Sequence, residues 1–329
     1  MTSELQSGTA SPAHDVVVVG SLNVDYTTAV RSIPRPGETV LGDDVRTFMG
    51  GKGLNQAVAA ARAGARVAMI GRVGDDEGGA RMRNRLRADG VDDTWIGVDE
   101  RSPSGAAFIT VDDNSENAIV VSPGANATLG VEHVRDAAAV IERAGVLLVQ
   151  FEVPMAAVAA AVDLATGTVV VNPAPAQPLP GSLFERAAIV IPNRSELATI
   201  AGAAIPQTEA EVMALASAMM AEWGDEPTAD AGTAATDRRI VITLGADGVL
   251  LVEAAGSRRF AAPAVDAVDT TGAGDCFCGS LAARLALGDG IDEAIPWAMA
   301  AAAISVTRPG ASDSMPSADE VADVLLRNP

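Results

Sequence analysis

The run Asp269-Thr270-Thr271-Gly272-Ala273-Gly274-Asp275 holds the parts needed to place an anion beside a base. It lies between a strand-like segment and a long apolar helix expected over 276–287. Two glycines at a helix start let backbone N–H groups approach an anion without a Cβ in the way, and the helix dipole adds to the attraction. Asp275, closing that run, would sit beside the bound anion, placed to take a proton from an attacking hydroxyl. Positioned oxygens, charge stabilisation and a base are what phosphoryl transfer needs. The same residues could instead make an ordinary glycine turn with an aspartate near a helix start. Neither GxxxxGK[ST] nor GxGxxG occurs in the chain, so a phosphate site here is of another kind.

Few other side chains offer chemistry. Of the two histidines, His14 lies in a polar N-terminal stretch and His133 in an expected helix among charges, which argues against a serine–histidine triad or a histidine-rich metal site. Cys276 and Cys278, two positions apart, make neither a disulfide framework nor a four-cysteine zinc site, and are expected to pack as small core residues. Acid–base chemistry therefore falls to carboxylates. Lys52 is the only lysine among 23 cationic residues and stands between Gly51 and Gly53. A compact ammonium at that place is one reading, and a compositional bias that spared one lysine is the other. The net charge of −20 repels phosphate backbones and anionic lipids, so no nucleic-acid or membrane-surface partner is expected. No apolar run reaches the roughly 18 residues of a membrane span. The start, MTSELQSGTASPAHD, has neither a basic nor an apolar stretch, so a cytoplasmic protein is expected.

The elements that must position these residues can be read from pattern. At about 150 residues per domain, 329 residues make two units or one large α/β unit. Residues 1–14 read as a disordered tail, followed by one domain over 15–329. Val16–Val19 has the mark of a buried parallel strand. Alternating stretches at Val24–Val30 and Glu38–Phe48 flank the turn Pro34-Arg35-Pro36-Gly37. A helix opens at Gly50–Gly53, then a strand at Val67–Ile70, a helix over 77–88, and short strands at Trp95–Val98, Ala106–Val111 and Ala118–Val121. From Thr128 strands and helices alternate: helices over 131–143, 155–165, 194–201 and 208–222, and strands at Val146–Phe151, Thr168–Val171, Ala188–Ile191 and Ile240–Thr243. That rhythm predicts a parallel sheet covered on both faces. The regions about 22–48 and 96–122 break it and read as insertions forming a small sheet beside the main one. Gly224–Asp237 reads as a mobile surface loop.

Asn23-Val24-Asp25, Gly50-Gly51-Lys52-Gly53-Leu54-Asn55-Gln56-Ala57, Pro192-Asn193-Arg194-Ser195-Glu196 and the Asp269–Asp275 run together resemble the signatures of ribokinase-type carbohydrate kinases, of the phosphofructokinase-B superfamily. The likeness keeps the same order from about Asp15 to Leu326. It is greatest to the ribokinase branch, through Gln150-Phe151-Glu152, Asn172-Pro173-Ala174-Pro175-Ala176 and Val306-Thr307-Arg308.

The resemblance implies an α/β protein with a three-layer α/β/α fold, a mostly parallel central sheet and a small β-sheet lid that also joins two copies as a homodimer. It implies ATP-dependent phosphorylation of D-ribose at its O5 hydroxyl. Sister enzymes act on deoxyribose, fructose or nucleosides, and a sugar-binding regulator on the same fold is the non-enzymatic alternative. By position, Asp275 is the catalytic base, and Gly272, Ala273 and Gly274 form the backbone anion hole. Asn23, Val24, Asp25, Gly51, Lys52, Gly53, Leu54, Asn55 and Glu152, with Asp275, make the sugar pocket. Asn193 and Glu196 orient Mg2+ and the nucleotide phosphates, largely through water. Thr243, Leu244, Gly245, Ala246, Asp247 and Gly248 match the nucleotide-binding turn, joined by Gly274, Asp275 and Met299. Asp269, Thr271, Ser305, Arg308, Gly310 and Ser314 match a K+ site. Several have plainer readings: a turn after a strand for Asn23-Val24-Asp25, a capping box for Asn193 and Glu196, a turn cap for Asp269, and core packing for Trp297 and Met299.

Overall fold

Four consecutive valines form β1 (Val16–Val19), and all four are fully buried. Successive side chains of a strand point to opposite faces. Accordingly Val16 and Val18 join one hydrophobic cluster, while Val17 and Val19 join another. A strand apolar on both faces must be covered on both, and that fixes a layered architecture.

The structure, a computed structural model, describes residues 14–114, 116–177, 181–223 and 238–327. The chain continues from β1 through β2 (Asn23–Ala29), β3 (Arg46–Gly50), α1 (Lys52–Arg62), β4 (Val67–Gly74), α2 (Glu77–Ala88), β5 (Ile96–Asp99), β6 (Gly105–Val111) and β7 (Asn117–Ser122). There follow α3 (Val131–Asp136), α4 (Ala138–Ile141), β8 (Val146–Val149), α5 (Met155–Leu164), β9 (Thr168–Val171), α6 (Gly181–Arg186), β10 (Ile189–Val190), α7 (Arg194–Ile200), α8 (Glu209–Glu222) and β11 (Arg239–Thr243). β12 (Val249–Glu253), β13 (Gly256–Phe260), α9 (Ala273–Ala286), α10 (Ile291–Ser305) and α11 (Ala318–Arg327) complete the described chain.

The main sheet has nine strands in the order β13-β12-β11-β10-β9-β8-β1-β4-β5. Pairing is parallel from β5 to β11 and antiparallel from β11 through β12 to β13. One cluster packs α1, α2, α9 and α10 on one face, with residues such as Leu54, Met82, Leu281 and Ile295. The other packs α3 to α8, with Val134, Ala157, Leu197 and Val212. The expected three layers are therefore present, as is the lid, a four-stranded sheet in the order β3-β2-β6-β7. Among the described residues no helix is long and apolar enough to cross a membrane.

The structure departs from the pattern reading in several places. The strand expected at Trp95–Val98 within the lid pairs instead with β4, Gly71 opposite Ile96 through Gly74 opposite Asp99. β4 runs four residues past Ile70 and so offers a partner at the main sheet's edge. The lid's second contribution is therefore Gly105–Ser122. The strand expected over Glu38–Phe48 is confined to Arg46–Gly50, since residues 38–45 are exposed and pair only through the Val30–Gly42 bridge. The helix over 131–143 breaks at Ala137. The segment before Asp269 is not a strand, and α9 begins at Ala273, three residues early. The expected tail and the 224–237 loop lie outside the described residues, apart from His14, which sits 3.3 Å from Asp92.

Candidate active site

All parallel strands of the main sheet end on one edge, and the polar side chains gather there. Ser21 follows β1, Gln150 and Glu152 follow β8, Asn172 follows β9, Asn193 follows β10, and β11 ends at Thr243. Ligands in open α/β sheets bind at this carboxyl edge. Two helix N-termini close the site from one face. Gly51 caps α1 at φ +88°, a left-handed conformation, and a Cβ there would come within 2.7 Å of the Asn23 nitrogen. Gly272 caps α9 at φ +74°, against Ala311. Because α9 starts at Ala273, Gly274 and Asp275 belong to its first turn, where N–H groups have no helical partner. A Cβ on Gly274 would meet nothing within 4 Å, so that turn is open to the cleft.

The cleft has a volume of about 500 Å³, including its open mouth. Lys52, Asn172, Asn193, Glu196, Thr243 and the 270–275 stretch line it. Asp275 is 7% exposed. Its two oxygens each accept one amide from α1, Oδ2 from Asn55 Nδ2 and Oδ1 from Gln56 Nε2, both at 2.9 Å. Glu152 Oε2 accepts the Ser21 hydroxyl at 2.5 Å and the Lys52 N–H at 3.2 Å. A carboxylate after an apolar strand thus has the partners its burial demands. Asn193 and Glu196 do form a capping box on α7, each accepting the other's backbone N–H at 2.8–2.9 Å, and both face the cleft. The capping and cleft-lining readings hold together.

Charge in the cleft is unevenly distributed. Burial works against the Lys52 ammonium, but Asp275, Glu152 and Glu196 outweigh it and raise its pKa. Lys52 therefore stays charged. Burial raises Glu196, opposed by the Asn193 N–H and by Lys52. Asp25 is pushed up to about 7, first by burial and then by the charges of Glu152 and Asp275. Burial also pushes the Cys276 thiol up to about 12, and both cysteines are core residues, as expected.

The structure sorts the expected sugar residues by strand alternation. Asn23 and Asp25 share a face of β2, with Asp25 stacked so close to Gly50 that a Cβ there would collide with its carboxylate. Val24, on the opposite face, is buried in the core, and Leu54 is fully buried on α1. These two pack rather than face the cleft. Gly53 lets α1 approach the Gly20–Ser21 backbone. Leu244 is buried, whereas Gly245–Asp247 forms a 3-10 turn closed by Gly248, and Asp247 pairs with Arg194 at 3.0 Å. Met299 is buried among the α9–α10 core residues and Trp297 beside it, so the packing reading holds and Met299 does not line the cleft.

The expected cation segments come together. Asp269 Oδ1 accepts the Thr271 N–H at 2.9 Å and Oδ2 the Gly310 N–H at 2.8 Å, while the Val306 carbonyl accepts the Asp269 N–H at 3.1 Å. Ser305 and Ser314 are buried, with hydroxyls donated to Ala302 and Ala311. Arg308 instead reaches outward to Glu320 on α11. Carboxylate, carbonyl and hydroxyl oxygens are a donor set that fits a hard cation. The turn reading of Asp269 is also correct, since it spans both segments. The residue roles read from sequence omitted Ser21, Gln56, Asn126, Gln150 and Asn172, all buried and hydrogen-bonded here. The available signal was a polar residue placed next to an apolar strand or inside an apolar helix.

The model of the pfkB family carbohydrate kinases matches residues 13–318. The chain belongs to that family. This carbohydrate kinase is 38% identical to the ribokinase of Haemophilus influenzae over 313 residues, 94% of this chain and 98% of that one. It is 32% identical to a deoxyribokinase of Salmonella typhimurium over 318 residues, 95% and 99% of the two chains. Its fold matches Arabidopsis thaliana ribokinase, solved with ribose and ATP, with a TM-score of 0.81 at 28% identity over 96% of this chain and 99% of that one. The kinase is thus ATP-dependent and has the ribokinase-like fold.

Asp25 gives this kinase a pH-dependent stability whose sign follows from the direction of the shift. Its folded pKa of about 7 lies above the ordinary value of 3.8, so between these the unfolded chain releases a proton that the folded one keeps. Stability then falls as pH rises through that window. Asp25→Asn should match the parent's melting temperature near pH 4 and exceed it at pH 8. Parallel melting curves across that range would contradict the assignment.

Proposed function

We propose that this kinase transfers the terminal phosphoryl group of ATP to the O5 hydroxyl of D-ribose, giving D-ribose 5-phosphate. One observation carries the reading: the Asp275 carboxylate is held by two amides on the cleft wall, beside the open first turn of α9. Asp275 takes the proton of the primary hydroxyl as its new bond to phosphorus forms and the bond from phosphorus to the departing ADP breaks. The N–H groups of Gly272, Ala273 and Gly274 hold the oxygens of the moving phosphoryl group at the helix N-terminus. Lys52 adds fixed positive charge from the other helix start. ATP with Mg2+ supplies the activated phosphoryl group, and Asn193 and Glu196 would orient the ion through water, with Thr243 and the Gly245–Gly248 turn against the nucleotide. Half-buried Glu196, with Lys52 as its ammonium neighbour, suits a site that gains a cation with its substrate.

For the sugar, Asn23, Asp25, Gly51, Lys52, Gly53, Asn55 and Glu152 would supply the hydroxyl contacts beside the base. Similarity to ribokinases, one of them solved with ribose and ATP, supports ribose. The deoxyribokinase relative favours deoxyribose as the second reading. A nucleoside is disfavoured, because the lid strands bring only three aromatic rings, Tyr26, Phe48 and Phe108, and Tyr26 and Phe108 stack on each other. A site that hydrogen-bonds a hydroxyl discriminates against its loss by roughly 1–3 kcal/mol. Ribose should therefore exceed 2-deoxyribose about tenfold in kcat/KM. Asp275→Asn, folded, should lose at least about a hundredfold in kcat. Equal use of both sugars would point to the sister enzyme, and a fully active Asp275→Asn would remove the base.

K+ belongs in the same proposal, held by Asp269, Thr271, Ser305, Gly310 and Ser314, with the backbone rather than the side chain of Arg308. It would stiffen the Gly272 turn, which packs on Ala311 between those segments. Activity at constant ionic strength should be higher in K+ than in Na+ or a bulky organic cation, and Asp269→Ala should abolish the difference. Activity indifferent to the cation after removal of K+ would refute the site.

A homodimer through the lid completes the reading. Tyr26, Phe108 and Val120 lie in register across β2, β6 and β7, and are 39%, 52% and 66% exposed. A contiguous apolar row of this kind is covered in most soluble proteins. Sedimentation should show a dimer for the parent and a monomer for Phe108→Asp. A monomeric parent would exclude this interface.

A further inference from the structure

The Asp275 carboxylate is held by a side chain whose own position is fixed by two further amides. Gln56 is fully buried on α1. Its Nε2 donates to Asp275 Oδ1 at 2.9 Å and to Asn172 Oδ1 at 3.0 Å, which uses both amide hydrogens. Its Oε1 accepts from Gln150 Nε2 at 2.6 Å. Asn172 is anchored in turn, its Nδ2 donating to the Ile191 carbonyl at 2.9 Å. A carboxylate can only accept, so the Gln56 amide has one satisfactory orientation, nitrogen toward Asp275 and oxygen toward Gln150. Gln150 fills the space left by Gly20, where a Cβ would collide with its Oε1. The chain of bonds thus runs from the ends of β8, β9 and β10 through one helix residue to the acidic side chain.

We propose that Gln56 is the positioning residue for Asp275, held for that task by Gln150 and Asn172; this rests on Asp275 being the base. Gln56 is fully buried behind the cleft wall, bonded to two residues that line it, Asp275 and Asn172, while Asn55 takes the other carboxylate oxygen. Gln56 acts in two ways. It fixes the plane of the carboxylate, so that the oxygen facing the hydroxyl keeps its direction, and small misplacements at such a point cost large factors in rate. It also donates to the ionised form, which favours that form. Asp275 shares its surroundings with Asp25, Glu152 and Glu196 as well as with Lys52, so its orientation is set among several charges. A neutral amide supplies this donation at every pH, as a histidine or lysine would not.

The test measures kcat, sugar KM and the acid limb of the kcat–pH profile for Gln56→Met, which keeps length and burial but removes the donor. We expect kcat to fall by about 10- to 100-fold, KM to change less than about threefold, and the acid limb to move to higher pH. A general packing defect would lower activity without moving that limb. Gln150→Met leaves the Gln56 donor in place but frees its amide, and should lower kcat by at least about threefold with the limb unmoved. If Gln56→Met fails to fold, Gln150→Met decides, and an unchanged kcat there overturns the proposal. A folded Gln56→Met with parental kcat and pH profile also overturns it. Asp275→Asn measured alongside separates the two claims: if it is inactive while Gln56→Met is normal, the base stands and the positioning role falls.

Discussion

Helices α1 and α9 lie so close that a Cβ on Gly279 would collide with the Gln56 carbonyl and press on Ala59. That contact governs the molecule's chemistry. It sets two helix N-termini side by side at the carboxyl edge of one sheet, so Lys52 and the Gly272–Asp275 turn face one cleft. It also brings the α1 amides Asn55 and Gln56 within 2.9 Å of a carboxylate more than two hundred residues away. The layers behind the contact hold it rigid, with Leu54, Ala57, Leu281 and Ala282 fully buried between helix and sheet. Interiors packed to this density transmit small displacements rather than absorb them. A base placed by such a contact is placed by the whole core.

Electrostatics follow from the same arrangement. Four carboxylates, on Asp25, Glu152, Glu196 and Asp275, share a partly buried space with one ammonium. In a low-dielectric cleft that imbalance is costly until cations or protons compensate. Burial and the neighbouring carboxylates hold Asp25 and Glu196 above their ordinary values. The lid is joined to this centre through β3, where Ser312 donates its hydroxyl to the Met49 carbonyl at 2.6 Å and Gly310 abuts Phe48. Through that link the lid strand, the Asp269 segment and the α9 N-terminus meet in one short stretch.

Much of this was legible in the sequence because backbone physics writes it there. The valine run of β1, the glycine pairs at both helix starts and the alternation of β2 each report a conformation that only certain residues permit. The lid's extent was less legible. β5 has the same short alternating pattern whether it joins the lid or extends the main sheet, and only the longer β4 decides. Lid residues 38–45 carry a strand-like pattern but lack a partner over most of their length. In the site, motif residues Val24 and Leu54 face the core, as the strand and helix periods require. Gln150, Gln56 and Asn172 could not be assigned roles from type alone, because a buried amide's task depends on which groups meet it in space. Met299 shows the reverse: an apolar residue on an apolar helix is a core residue unless geometry says otherwise, and here it packs.

In the proposed reaction a carboxylate fixed by α1 meets the acceptor hydroxyl at the start of α9. A crystal structure with D-ribose and a non-hydrolysable ATP analogue tests it most directly. A sugar hydroxyl should then lie about 3 Å from an Asp275 oxygen, with terminal phosphate oxygens against the N–H groups of Gly272–Gly274 and both amide bonds from Asn55 and Gln56 intact. A sugar bound in the cleft with every hydroxyl more than about 5 Å from Asp275, beyond reach of direct proton transfer, would contradict it.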